Sequence, residues 1–511
     1  MTLWGFKSTR PENGTDAWSE LSATVSRSSA AKLVGWSVIE NAGLALVSVG
    51  SLVVYTRYLS PSDFGLFSIV LALIELLGLL VTMPFHDALV QRPGIGRLHF
   101  DTAFTVTMGI SVVLFAGCAL FAPSFARWVN YPAAASVLTA MALYFPFAAI
   151  GGTIVPLHRR RLEFRPLAVR SLVGRVSGAM VGMVFVILGA GLWGLVVQYV
   201  LIALVSSLAL WFMSSVRPRL RFGTSEIRSV ASFSIYSIGG LFLTFAVGRV
   251  FTILVGVALG AKSAGYLNLS FRIVDVLWAI AATAISQAAL SVLSRLDSDR
   301  ARLKRAYGAA LELTCLTLYP CFVGIALIAP ELIELLFGRA WLVCSGYVAV
   351  LALLILVRAP GILGRPLLAA VGRPRDVMIG VGFELLVMLT SIAIFGGSTL
   401  PWAMAIWVIR ELVPVPVNAY LLKRATGIGY IDQVRGAMSP LLASVCMCVA
   451  VLLVRRLLPP VDLVFLRLVL LVVTGIAAYL ATVWFSNRLA ILRAVEFLRS
   501  ATVPRAAALH L

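Results

Sequence analysis

Val53–Leu77, VVYTRYLSPSDFGLFSIVLALIELL, consists of two apolar runs separated by a short polar break carrying Ser60, Pro61, Asp63 and Gly65. A fainter copy stands 200 positions later at Ile253–Leu277, ILVGVALGAKSAGYLNLSFRIVDVL. Leu59, Gly65 and Leu77 fall on Leu259, Gly265 and Leu277, and Glu75 falls on Asp275. These few matches gain weight because the surrounding spans and loops repeat as well. A duplicated helical hairpin inside a chain of many spans is a transporter's construction rather than an enzyme's.

Working outward, the whole chain has the composition such a hairpin requires. Of its 511 residues 60% are hydrophobic and only 13% charged, too little polar surface to cover a soluble domain of this size. The apolar runs are roughly 20 residues long and apolar all round, as membrane-spanning helices need, whereas β-barrel strands alternate over roughly ten residues. The fold class is an all-α integral membrane protein of about fourteen transmembrane helices. The runs fall at about 33–57, 65–90, 101–122, 133–157, 168–189, 192–213, 231–259, 265–293, 306–329, 341–369, 376–396, 399–421, 436–457 and 462–485.

The formal charge of +20, from 42 Lys+Arg against 22 Asp+Glu, points to nucleic acid in a soluble protein and to loop topology in a membrane protein. Position decides between them. Odd-numbered connections are very short (Ser60–Asp63, Gly189–Gly191, Gly260–Ala264, Gly396–Ser398) and carry few cations, among them Arg57, Lys262, Arg339, Arg455 and Arg456. Even-numbered ones are basic, with Arg92, Arg97, Arg159, Arg160, Arg161, Arg165, Arg170, Arg217, Arg219, Arg221, Arg228, Arg295, Lys304, Arg358, Arg365, Arg373 and Lys423 among their residues. This bias places both termini in the cytoplasm and excludes nucleic acid as a partner.

Six spans precede the Arg217–Arg228 linker, so the seventh enters the membrane in the same direction as the first, and the two hairpins are parallel repeats. Arg165-Pro166 before span five and Arg373-Pro374 before span eleven repeat in the same way. The expected organisation is a cytosolic disordered tail (1–30), an N-lobe (31–216), a linker (217–230), a C-lobe (231–424), two extra spans (425–486) and a cytoplasmic amphipathic tail (487–511), with a helix at Asn487–Ser500 carrying Arg488, Arg493 and Arg499. The six cysteines lie in or beside apolar runs without metal-ligand spacing, so neither disulfides nor a metal are expected, and no cofactor is implied.

Charges inside apolar spans must be paired, solvated in a cavity or neutral, which makes them the candidate functional residues. They are Glu40, Glu75, Arg249, Arg272, Asp275, Glu384, Arg410, Glu411 and Arg467, and the first five sit on the repeated hairpins. Arg249, about 15 Å deep at 1.5 Å per residue, either faces an aqueous cavity and holds an anionic group or pairs with Glu75 or Asp275 across the lobes. Arg272 and Asp275 are spaced to neutralise each other on one helix face. Glu75 shares a face with His86 through 75, 79, 82 and 86, and is a candidate for proton or sodium coupling. Arg410 and Glu411 precede Pro414 and Pro416, and form a local charge pair beside a kink or a further cavity group. Glu384 and Glu312 lie nearer the cytoplasmic ends, where solvation is expected, and Arg467 snorkels near the outer surface.

Tyr58-Leu59-Ser60-Pro61-Ser62-Asp63-Phe64-Gly65-Leu66-Phe67 resembles the first-loop signature of the bacterial polysaccharide flippases, of the multidrug/oligosaccharidyl-lipid/polysaccharide exporter superfamily. Leu259-Gly260-Ala261, Gly265-Tyr266 and Phe271-Arg272-Ile273 resemble that family's second-lobe opening. Ser294-Arg295-Leu296, Leu303-Lys304-Arg305-Ala306-Tyr307 and Phe337-Gly338-Arg339-Ala340-Trp341 extend the likeness, which runs from about residue 30 to 485. The resemblance implies two lobes alternating access around a central cationic cavity. It further implies a lipid-linked oligosaccharide as substrate at the bacterial inner membrane, and polysaccharide polymerase or export machinery as partners beside the membrane lipids. By position, Arg249, Arg272, Arg410 and Arg57 are its diphosphate-binding candidates, and Glu75, Asp275 and Glu40 its ion-coupling candidates. After Arg249, where the family often carries a charged or amide residue, this chain has Val250 and Phe251. The competing readings are a multidrug/cation antiporter of the same superfamily, expected to show a mainly acidic and aromatic cavity, and a membrane-embedded polymerase. No phosphate-cradling glycine loop and no long outer loop are present, so the chain reads as a transporter and not an enzyme.

Overall fold

Ser60 is where the first hairpin turns. Its backbone is extended (φ −71°, ψ 154°), Pro61 takes the first helical turn where a missing N–H costs nothing, and Ser60 Oγ accepts the Asp63 N–H at 3.2 Å. The second copy breaks its helix at the equivalent residue by a different device: Gly260 adopts φ 81° and ψ 167°, a conformation open to glycine and strained for other residues.

The computed structural model describes residues 27–92, 94–214, 217–293, 300–395, 399–457 and 463–486, and among them every regular element is helical. The N-lobe comprises α1 (Arg27–Tyr58), α2 (Pro61–Thr82), α3 (His86–Gln91), α4 (Arg97–Val129), α5 (Ala134–Ala142), α6 (Tyr144–Arg160), α7 (Phe164–Ile187) and α8 (Trp193–Met213). The C-lobe comprises α9 (Thr224–Leu293, two arms meeting at Gly260), α10 (Arg300–Phe337), α11 (Cys344–Leu353), α12 (Ile355–Gly361), α13 (Gly364–Ala370), α14 (Pro374–Phe395), α15 (Leu400–Leu412) and α16 (Val415–Thr426). The short α17 (Asp432–Arg435), then α18 (Met438–Leu457) and α19 (Val464–Ser486), complete the chain.

Twelve stretches among the described residues are long and apolar enough to cross a membrane. One of them is Phe245–Trp278, which contains the Gly260 break, and α1 contributes only the shorter apolar stretch Gly43–Tyr58. Counting α1 and both arms of α9 restores the fourteen runs of the sequence, so that number is approximate. The protein is a multi-pass helical membrane protein.

Several expectations meet different structure or none. The tail at 1–26, the Asn487–Ser500 segment, the Gly396–Ser398 connection and Ser294-Arg295-Leu296 lie outside the described residues. Helix α1 begins at Arg27, inside the expected tail, and α9 begins at Thr224, inside the expected linker. What remains of the linker is held on the start of α4. Asp101 Oδ1 accepts the Arg219 N–H at 2.9 Å, Thr102 Oγ1 accepts the Gly223 N–H at 3.0 Å, and Thr105 donates to the Arg221 carbonyl at 2.9 Å. His86 does not continue the face of Glu75, because α2 ends at Thr82 and His86 opens the separate α3, where its ring lies 3.1 Å from the Asp87 carboxylate.

The core lies where the lobes meet. Helix α2 is buried along most of its length, with Phe64, Leu66, Ile69, Val70 and Ile74 nearly inaccessible, because it packs against its own lobe and against both arms of α9. The closest approach is at the duplicated glycines. A Cβ on Gly65 would lie 1.7 Å from the Ala261 carbonyl oxygen, and one on Gly265 2.1 Å from the Pro61 carbonyl oxygen. Position 61 meets 265 and position 65 meets 261, so the contact is reciprocal, as a two-fold relation between repeats demands. Small residues here let two backbones touch, the usual basis of helix association in lipid.

Candidate functional site

The end of the bundle that carries Ser60 is sealed. Gly338 ends α10 at φ 90°, and the following 3₁₀ turn, Arg339–Trp341, inserts Trp341 between the lobes. Its indole is fully buried and meets Phe64 edge-on at 5.6 Å and Tyr266 edge-on at 6.0 Å. Trp341 Nε1–H donates to the Thr56 carbonyl at 3.0 Å. Beside it, Arg57 donates from Nη2 to the Leu335 carbonyl at 2.5 Å and from Nε to the Leu336 carbonyl at 3.3 Å. A cation on the unpaired carbonyls at the end of α10 is favoured by the helix dipole. Arg57 therefore latches α1 of one lobe to α10 of the other.

Below the seal the interface turns polar. Glu75 of α2 and Arg249 of α9 meet across the lobes, Oε2 to Nη2 at 2.8 Å, an ion pair without hydrogen-bond angles. Their side chains keep 32% and 37% exposure although Glu75 stands on the most enclosed helix of the bundle. The contacting Glu75 oxygen is itself buried, so the pair stands enclosed where the two lobes meet. Arg249, Arg272 and Arg175 are the cations whose charge reaches Glu75. Arg272 lies 6.0 Å over the Phe64 ring and forms no ion pair among the described residues, so the expected Arg272–Asp275 pair is not made. Asp275, on the same arm of α9, is exposed and lies in the field of Arg358 and then Arg249. On the N-lobe wall, Glu40 of α1 acts on Arg170 of α7, and the rings of Tyr144 and Tyr199 lie 5.1 Å apart.

A second set of charges is closed on itself in the C-lobe. Glu411 is held by Arg410 at 2.6 Å and by Arg358, and Glu384 by Arg410 at 3.4 Å and by Arg365. Arg410 also stacks over Trp407 at 4.5 Å. Its carboxylates on two sides and its indole leave it committed, as the local-pair reading anticipates. Glu384 is buried and doubly paired rather than solvated, because α14 faces α15 across the lobe interior. At the far edge of the lobe, Glu331 takes Arg455 and, at 3.3 Å, Arg467, so Arg467 is an ion-pair partner and not a snorkelling cation.

Of the sequence-derived candidates, the structure thus gathers Glu75, Arg249 and Arg272 at one place, with Asp275 and Glu40 on its margins. Arg410 belongs to the C-lobe network and Arg57 to the seal. Sequence reasoning counts Arg170, Arg358 and Arg365 as loop charges and passes over Arg175. All four fall inside runs that the same reading assigns to spans, 168–189 and 341–369, and that was the available signal.

Two helical lobes joined by a short linker and meeting at mid-span arginines define a multi-pass helical membrane protein with a charged interior. The family model described as "Polysaccharide biosynthesis protein" matches residues 54–346, and the chain belongs to that family. Among its relatives is the succinoglycan biosynthesis transport protein ExoT of Rhizobium meliloti (strain 1021), 25% identical over 335 residues, 65% of this chain and 67% of that protein. Another is the lipopolysaccharide biosynthesis protein WzxC of Escherichia coli (strain K12), 21% identical over 338 residues, 65% of this chain and 67% of that one. Among solved structures the fold is shared with the lipid II flippase MurJ in its inward closed conformation, at TM-score 0.69 and 15% identity, over 89% of this chain and 99% of that one. It is shared also with an inward-facing multidrug resistance MATE family transporter, at TM-score 0.58 and 17% identity, over 75% and 95% of the two chains.

Proposed function

We propose that the protein is a flippase that carries an undecaprenyl-diphosphate-linked oligosaccharide from the cytoplasmic to the periplasmic leaflet of the bacterial inner membrane, for exopolysaccharide, capsule or O-antigen synthesis. The observation that carries this reading is the cluster of Glu75, Arg249 and Arg272 where the lobes meet, in which arginines outnumber the carboxylate. A diphosphate cannot enter hydrocarbon unaided, and guanidinium groups inside the bundle offer it charge-assisted hydrogen bonds while the prenyl tail stays in lipid. A binding surface for a drug cation would carry the opposite balance. The family membership and the transport protein among the relatives support the same reading, and no catalytic role is assigned.

With both termini cytoplasmic, as the loop arginines favour, the Ser60 end is periplasmic and the described conformation is closed to the periplasm. Glu75 holds Arg249 in this state and competes with an arriving phosphate for it. Neutralising Glu75 by a proton, or drawing it to a sodium ion, frees Arg249, which is how an ion gradient would be coupled; Asp275 and Glu40 are the alternative carboxylates. Polymerase or export proteins receive the product at the periplasmic face.

The test is leaflet-resolved accumulation of lipid-linked oligosaccharide in cells carrying Arg249→Ala or Arg249→Lys. Cytoplasmic-side trapping by Ala with partial recovery by Lys is the expected result. Normal export by Ala at normal protein level removes Arg249 from the site. Absence of any accumulation on deleting the protein removes the flippase reading and puts a multidrug antiporter first.

A further inference from the structure

One cavity lies away from the interface between the lobes, at the outer edge of the C-lobe. Its volume is about 280 Å³, and it is lined by Pro330, Glu331 and Glu334 of α10, Arg455 of α18, and Val464 and Arg467 of α19. Ligand sites usually enclose about 300–1,000 Å³, so this one has room for a small polar group. Glu331 stands within two turns of the end of α10 that Arg57 latches, which puts the cavity at the Ser60 end of the bundle. Helix α18 ends at Leu457 and α19 begins at Val464, so Arg455 and Arg467 are each within a turn of a helix end, the depth of lipid headgroups. The neighbouring Leu453, Phe465 and Leu466 are exposed and apolar, as a surface that faces lipid must be.

The charges around the cavity are unevenly shared. Glu331 is buried and receives Arg455 Nη2 on both of its oxygens and Arg467 Nε at 3.3 Å. Glu334 is taken by Arg339 at 2.9 Å. Two arginines therefore share one carboxylate, and neither pairs with another acid among the described residues. Arg455 Nε is buried there without a hydrogen-bond partner. Val464 is the first residue of α19, so the positive end of that helix dipole meets the same space. Cations sharing too few counter-ions beside hydrocarbon are costly unless an anion joins them.

We propose that this cavity binds the phosphate of an anionic glycerophospholipid, phosphatidylglycerol in chemistry, drawn from the leaflet at the Ser60 end. Basic pockets between spanning helices hold anionic headgroups. A phosphodiester brings one negative charge and two free oxygens, which suit the donors that Arg455 and Arg467 do not spend on Glu331. The volume admits the headgroup alone, and the acyl chains lie outside it along α18 and α19. A choline headgroup carries its own cation, which the two arginines repel. The bound lipid adds a second anion to the one carboxylate that joins α10, α18 and α19, and so fastens the last two helices to the C-lobe.

The experiment does not depend on what the protein transports. Purified full-length protein in a neutral detergent is given dioleoylphosphatidylglycerol, dioleoylphosphatidylcholine or water-soluble glycerol phosphate, and bound molecules are counted by native mass spectrometry. The wild type is expected to hold one phosphatidylglycerol per chain and to favour it over phosphatidylcholine by about tenfold, the worth of one charged hydrogen bond. Val464→Trp fills the cavity while leaving every ion pair in place, and removes that preference. Arg467→Gln removes it as well. Arg127→Gln, which neutralises an exposed cation near the same end of the N-lobe, leaves it unchanged. Equal binding of the two lipids by the wild type overturns the proposal, and this comparison stands even if a substitution impairs folding. A preference that survives both Val464→Trp and Arg467→Gln overturns it too, as does an equal loss in Arg127→Gln, which would mark diffuse attraction. Glycerol phosphate binding as tightly as the lipid would assign the cavity to free phosphate and remove the lipid.

Discussion

Gly65 and Gly265 touch across the axis that relates the two lobes: a Cβ on Gly65 would stand 2.8 Å from the Gly265 nitrogen, and one on Gly265 3.1 Å from the Gly65 nitrogen. The 200-residue echo in the sequence is therefore a physical contact, each copy of the glycine serving as the other's partner. No side chain fits between these backbones, and the lobes close only because both positions are bare.

Gly65→Val is expected to hold the Ser60 end apart. The atoms it meets are backbone, so neither lobe can yield by changing a rotamer, and overpacking costs about 1–3 kcal/mol. Spin labels at Tyr58 and Val343, in a background without the native cysteines, report the separation by electron–electron resonance. A longer distance in the variant is the expected outcome, and an unchanged distribution would show that the glycine contact does not govern closure.

Trp341 and Arg57 both cross the seal, but with unequal weight. Trp341 is fully buried between two rings, whereas Arg57 is exposed and its bonds compete with water. Truncating a buried Trp costs about 3–5 kcal/mol, while a typical hydrogen bond contributes about 1 kcal/mol. Trp341→Ala should therefore open the same label pair markedly and Arg57→Gln only slightly. Equal effects would mean that the latch on α10, not the aromatic wedge, closes this end.

Glu331 fastens the last two helices to the C-lobe through Arg455 and Arg467. Helix α10 supplies the acid, α18 and α19 the bases, so one carboxylate joins three helices. Glu331→Gln leaves two cations without a partner; breaking a buried pair costs 3–5 kcal/mol, and partial exposure of both arginines lowers the expectation to about 2–3 kcal/mol. Thermal unfolding in detergent, followed by the monodisperse fraction on size exclusion, should show a lower midpoint. A midpoint within a degree or so of wild type would assign the docking to the apolar contacts of Val323, Met447 and Leu471 instead.

Glu411 and Arg410 belong to one network and should not behave independently. Each single substitution to Ala strands a charge, and the double variant removes both, so its loss of stability should fall short of the sum by about 1–3 kcal/mol. Additive midpoints in the double-mutant cycle would place the two residues in separate environments, contrary to their 2.6 Å contact.

What the sequence determined by itself is the membrane-spanning class, the hairpin turns and the duplication. These follow from local composition: an apolar run of this length has no other use, Ser60-Pro61 can only start a helix, and Gly65 with Gly265 marks the same place in two copies. The charges at 75, 249 and 272 were legible as anomalies for the same reason, since lipid tolerates no unexplained ion. Which partner each charge takes was not legible. Arg249 chose Glu75 over Asp275, Arg272 declined the Asp275 three residues away, and Glu384 found two arginines where solvent was expected. Arg358 and Arg365 look in sequence like topology signals and instead pair with Glu411 and Glu384. The difference is physical. Spacing fixes which face of one helix a residue occupies, whereas an ion pair across helices depends on how those helices are rotated and spaced, and that is set by the contacts at Gly65, Gly265 and Trp341, which bring together residues far apart in the chain.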